Sequence, residues 1–168
     1  MNVVDLRSPE ARSRTLCGGK GAELAALIGD QMPVPDGFVV TTHAFSLFLE
    51  ARGLASARSE LRLADSERSA ELAESLRHSI LTADFPAALA QEVSRKLADF
   101  EIGTEESLLW AVRSSAIAED TDSASFAGQY DTTLGVTTPN VAGAIQHSWS
   151  STFSERAIRY KVKKYSLS

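Results

Sequence analysis

The sequence predicts an α/β (α+β) fold, a small mixed sheet flanked by helices. Strand-like runs near Phe38, Leu109 and Thr132 are separated by segments whose apolar residues recur at helical spacing, as at Leu72, Leu76 and Ile80. That alternation argues against an all-helical bundle. With 168 residues, 43% hydrophobic and 23% charged, the chain reads as one globular domain, 1–168, able to bury a substantial core. A net charge of -5 argues against a dedicated nucleic-acid binder. No apolar run approaches the ~20 residues that span a bilayer, and Met1 to Leu16 lacks the pattern of a secretory signal, so a cytoplasmic protein without membrane contact is expected. Cys17 is the sole cysteine, which excludes an internal disulfide and reads as an inert small residue.

Val3 to Leu6 reads as a short strand, and Arg7 to Thr15 as a polar approach to a glycine-rich turn, Cys17-Gly18-Gly19-Lys20-Gly21-Ala22. A helix follows at once, with Leu24, Leu27 and Ile28 on one face and Gly29 as its C-terminal cap. Glycines that open a helix let backbone N–H groups approach a phosphate at the positive end of the helix dipole, and Lys20 adds a full charge. The spacing differs from the P-loop pattern. The Pro33 and Pro35 turn leads into a strand at Gly37 to Thr41, and Thr42 is the expected N-cap of a helix through Phe45, Phe48 and Leu49 that Gly53 ends. Two amphipathic helices follow, one from about Asp65 to Ile80 and one after Pro86 carrying Leu89, Val93 and Leu97. They read as a helical hairpin at about 65–100, scaffold without chemistry.

Leu108 to Thr133 organises the rest. It begins as an apolar run, breaks into small hydroxyl and acidic residues directly after Arg113, and recovers as a strand-like segment, Gln129 to Val136. A buried strand delivering Arg113 to its end would face it onto the polar loop Ser114 to Ser125, whose hydroxyls and N–H groups can receive an anion's oxygens. The bland alternative is an arginine tying a loop to the sheet by a salt bridge. Ser114 and Ser115 have no sequence-linked base to make them nucleophiles and read as loop hydrogen-bonders. Glu119, Asp120 and Asp122 read as a solvated loop rather than a magnesium site. Thr138-Pro139 opens a last helix, capped by Thr138 and carrying Val141, Ile145, Trp149 and Phe153. The basic run from Arg156 through Arg159, Lys161, Lys163 and Lys164 reads as a solvated helix end. His43, His78 and His147 stand in helical contexts without a partner, and Trp110 and Trp149 read as core.

Four blocks, GGKGAELAAL, VPDGFVVTTHAF, VRSSAIAEDTDSASFAGQYDT and SSTFSERAIRY, together resemble the N-terminal nucleotide-binding region of the phosphoenolpyruvate synthase and pyruvate phosphate dikinase family, a region that rifampicin phosphotransferases share. The resemblance covers roughly Leu16 to Tyr160. It implies the first lobe of an ATP-grasp domain, followed in the family by a second lobe, a swivelling phosphohistidine domain and an acceptor domain. By the same resemblance Lys20 reaches the ATP phosphates, and Arg113 supports them near the transferred group. Gly128 and Thr132 form the turn over which the phosphates lie. Gln129 and Asp131 stand beside that site, and Tyr130 departs from the glutamine frequent in the synthase branch. The family's magnesium ligands and adenine hinge belong to the second lobe, so they are expected outside this chain.

Two functional classes stay open on the sequence. One is the ATP-binding component of a dikinase-type phosphotransferase, incomplete as a stand-alone catalyst and completed by a polypeptide carrying the second lobe and the phosphohistidine domain. The other is a non-catalytic nucleotide- or protein-binding module derived from that family.

Overall fold

A computed structural model describes residues 1–63, 66–102, 108–115 and 132–154, the side chains of 62–67 excepted. Among the described residues are six α-helices and four short strands: β1 Val3–Asp5, α1 Arg14–Gly29, β2 Phe38–Val40, α2 Thr42–Ala51, α3 Ala55–Leu63, α4 Ser66–Thr82, α5 Ala87–Glu101, β3 Leu109–Arg113, β4 Thr132–Thr137 and α6 Val141–Ser151. The α/β class read from the sequence is the class found. The described strands are distributed over two antiparallel pairs, β1 with β2 and β3 with β4. Aromatic rings bridge the pairs: Phe38 of β2 meets Trp110 of β3 edge-on at 6.5 Å, and Phe100 of α5 stacks on Phe38 at 6.2 Å and meets Trp110 edge-on at 5.8 Å.

The main core gathers the apolar faces of α2, α4, α5 and α6 with Val136 of β4. Leu76 and Ile80 bury one face of α4, Leu89, Val93 and Leu97 that of α5, and Val141, Ile145 and Trp149 that of α6, the 3.6-residue period expected of each. Trp149 is the hub, with Phe45 and Phe48 at 5.1 Å and Phe85 at 5.7 Å between ring centroids. Helix α4 packs on α3 and α6. Gln146 of α6 donates from Nε2 to the carbonyls of Ile80 and Ala83, at 2.5 and 2.6 Å, and so satisfies acceptors at the C-terminal end of α4.

Local chemistry departs from expectation at four places. Helix α2 is capped by Thr41, whose hydroxyl accepts from the Ala44 N–H at 3.2 Å, while Thr42 is the first helical residue and donates to the Thr15 carbonyl. The extended backbone of Thr41, φ -73° and ψ 162°, is what a cap requires. At the end of α1, Gly29 remains helical and Gln31 takes the left-handed conformation, φ 59°, with Gln31 N–H on Ile28 and Met32 N–H on Leu27, a Schellman closure. The expected apolar face of that helix is turned: Leu27 is 41% exposed, and Cys17, Gly21, Ala22 and Ala25 face inward, because small residues alone allow α1 to lie this close to Val39 of β2. Thr138 does not cap α6. Its hydroxyl accepts from Trp110 Nε1 at 3.1 Å and donates to Glu101, and Asn140 stands at the helix start. Gly53, by contrast, ends α2 as expected, at φ 68°.

Candidate functional site

Helix α1 is two helical pieces joined at Gly18, whose φ of 71° and ψ of 177° break the helix for a single residue. The second piece therefore opens on Gly19, Lys20 and Gly21, with Gly18 in the capping place and no side-chain oxygen there to accept from the first-turn N–H groups. That acceptor comes from elsewhere in the chain. The Gly21 N–H donates to the Ser115 hydroxyl at 2.9 Å, across 94 positions of sequence, and the same hydroxyl donates to the Cys17 carbonyl at 2.7 Å. The backbones approach just as closely: a Cβ on Gly18 would stand 2.1 Å from the Ser115 carbonyl oxygen, so a hydrogen is all that fits.

Ser115 lies two residues beyond Arg113, the last residue of β3, which is exposed. The register pairs Arg113 with Thr132, also exposed, at the start of β4. Between Trp110↔Val136 and Val112↔Thr133, β4 carries one residue more than β3, and Gly135 absorbs it at φ 67° as a bulge. Inward-facing Trp110, Val112 and Val136 anchor the hairpin on the core. Its outer face presents Arg113 and Thr132 together with the exposed side chains of Leu109 and Leu134.

Of the expected site residues, Arg113 and Thr132 are thus cross-strand neighbours, and the turn holding Lys20 is bonded to the loop that follows Arg113. Lys20 is half-buried in the first turn of the second α1 piece. Gly128, Gln129, Tyr130 and Asp131 lie outside the described residues, as do Glu119, Asp120, Asp122 and the basic run from Arg156. His43, His78 and His147 are exposed on helices. Among the described residues no three His, Cys, Asp or Glu side chains come together as metal ligands. Burial raises the Cys17 thiol above its ordinary pKa, keeping it protonated and unreactive beneath the turn.

Gly18 and Ser115 join the site by geometry. The shared role of Lys20 and Arg113 that the resemblance implies sets the Gly18 to Gly21 turn beside the loop after Arg113, and the two segments do meet, but a serine after a strand-end arginine carries no mark that it is the residue making the contact 94 positions away.

Residues 14–167 match the family described as the pyruvate phosphate dikinase AMP/ATP-binding domain. The chain is 39% identical over 168 residues to a rifampicin phosphotransferase from Streptomyces sp, an alignment covering 96% of this chain and 19% of that protein. It is 38% identical over 172 residues to a probable phosphoenolpyruvate synthase of Archaeoglobus fulgidus, covering 98% and 22%. With a phosphoenolpyruvate synthase of Pseudomonas aeruginosa it shares 38% over 154 residues, covering 86% and 19%. The chain therefore spans about a fifth of the length of these relatives.

Proposed function

The chain belongs to the pyruvate phosphate dikinase AMP/ATP-binding domain family, and from that premise we propose that it is the ATP-binding component of a dikinase-type phosphotransferase similar to phosphoenolpyruvate synthase. In this reading it is the first lobe of an ATP-grasp domain. Lys20 and Arg113 engage one triphosphate, Arg113 beside the transferred group, with Gly128 and Thr132 beneath it. Magnesium is held by residues outside this chain, and a polypeptide or segment carrying the second lobe and the phosphohistidine domain completes the catalyst. Phosphoryl transfer requires charge neutralisation and in-line positioning together, and these residues provide part of the first.

The observation that carries the reading is the Ser115 junction, which ties the turn bearing Lys20 to the strand end bearing Arg113. Two further features support it. Lys20 puts a positive charge at the positive end of a helix dipole, where the first-turn N–H groups also favour an anion. Exposure also alternates past the strand, Arg113 exposed, Ser114 buried and Ser115 half-buried, which sets Arg113 and Ser115 on one side. The alternative, a non-catalytic nucleotide- or protein-binding module derived from that family, draws for its protein-binding form on the exposed Leu109 and Leu134 that share the Arg113 face. Those same residues suit the docking of a second lobe.

Titration with ATP and magnesium decides between the readings. Lys20→Ala and Arg113→Ala are each expected to weaken ATP binding by about 1.5–3 kcal/mol with little change in unfolding free energy. Stability lost with nucleotide affinity unchanged would instead mark both as structural cations. ATP binding that stays absent from the wild-type chain, alone and with the second lobe supplied, would favour the protein-binding module.

A further inference from the structure

We propose that Ser115 is a positioning residue for the nucleotide phosphates, its hydroxyl setting the separation between the Lys20 turn and the Arg113 strand end. The inference rests on the reading above, that both cations serve one ATP.

A serine hydroxyl has one proton to donate and lone pairs to accept with. Here the proton goes to the Cys17 carbonyl and a lone pair takes the Gly21 N–H, one partner on either side of Gly18. The hydroxyl is therefore fixed in rotation and spans the break in α1. It performs the task of an N-cap for the second helical piece, a task Gly18 cannot perform for itself. Because the cap is borrowed from the β3 end, the helix start and the strand end are held as one unit, and the Cα of Gly18 rests against the Ser115 backbone with no space between. The adjacent hydroxyl makes the contrast. Ser114 is 6% exposed, and its Oγ has no hydrogen-bond partner among the described residues, so of two neighbouring serines only the second joins the segments.

Two cations from distant parts of a chain act on one triphosphate only if their backbones hold a fixed spacing, since a misplacement of about 1 Å is enough to lose a large part of a site's effect. Loop packing alone would leave that spacing soft. A two-sided hydrogen bond at the point where the segments touch makes it definite, and loosening the bond should loosen phosphate binding without removing any group that touches phosphate.

The test is an NMR titration of the isotope-labelled 168-residue chain with ATP and magnesium, on wild type, Ser115→Ala and Ser115→Thr, with Gly21 amide exchange and urea unfolding measured on each. The alanine variant is expected to lower ATP affinity about tenfold, the equivalent of one hydrogen bond, and to speed Gly21 exchange. Threonine, which keeps the hydroxyl, is expected to restore both. If Ser115→Ala fails to fold, Ser115→Cys, similar in size with weaker hydrogen bonds, is read in the same way. Faster Gly21 exchange or lower stability with unchanged ATP affinity would reduce Ser115 to a structural tie and overturn the proposal, as would a folded threonine variant that binds no better than alanine. Lys20→Ala and Arg113→Ala run alongside separate the two failures. If they weaken ATP binding while Ser115→Ala does not, the positioning role alone falls; if neither does, the phosphate reading falls and carries this inference with it.

Discussion

Two regions of the molecule are built by opposite means. Around Trp149 the chain fills space with three large rings from two other segments, Phe45 and Phe48 of α2 and Phe85 before α5, and stability comes from the apolar surface and dispersion contacts those rings bury. Beneath the α1 kink the chain leaves side chains out. Val4, Ala11, Cys17 and Ala25 form a small separate cluster, and Gly18 and Gly21 let backbone meet backbone at Ser115. The first region is damaged by removing atoms and the second by adding them, so substitutions in the two should separate stability from ligand binding.

The largest expected effect is in the aromatic core. Trp149→Ala should cost about 3–5 kcal/mol of unfolding free energy in urea denaturation, the range for truncating a large buried aromatic, while the fraction that remains folded keeps its ATP affinity. A parallel loss of affinity would show that the two regions are not independent. Next comes Gly18→Ala. The methyl group meets both an unfavourable φ and the Ser115 carbonyl, so a stability loss of about 1–3 kcal/mol is expected. ATP binding should fall with it, because the β3 end must move away. Unchanged binding in a folded Gly18→Ala chain would mean that the close contact has no part in phosphate handling.

The smallest effect concerns Cys17. Burial raises its pKa in the folded state, so the thiol ionises more readily once the chain unfolds. The protonated thiol's contribution to stability is fully present below the unfolded-state pKa, about 8.5, and is lost as pH rises through the folded-state value. Urea midpoints measured from pH 7 to 10 should decline above that point in wild type and decline less in Cys17→Ala. Equal slopes in the two would place the thiol in contact with solvent.

The repetitive parts of this protein are legible in its amino-acid sequence. Period-3.6 burial located α4, α5 and α6 with the core residues Leu76, Ile80, Leu89, Val93, Leu97, Ile145 and Trp149, because a helix that must bury one face writes that face into its composition. The sequence also located β3 and the arginine at its end, although the strand expected to be buried alternates exposed and half-buried residues, because only the face carrying Trp110 and Val112 packs on the core. Caps were legible only to within a residue or two. Thr41 and Thr42 are both able to cap, and backbone dihedrals chose Thr41; Thr138 lost the role to a hydrogen bond from Trp110. The tertiary structure alone decided which face of α1 turns inward, because Leu24, Leu27 and Ile28 carry the stronger hydrophobic signal and yet the close approach of β2 selects the small face. It alone decided that Ser115 meets Gly21 as well. Hydrogen bonds between residues 94 positions apart leave no periodic trace, since each needs one donor and one acceptor whose meeting depends on every element packed between them.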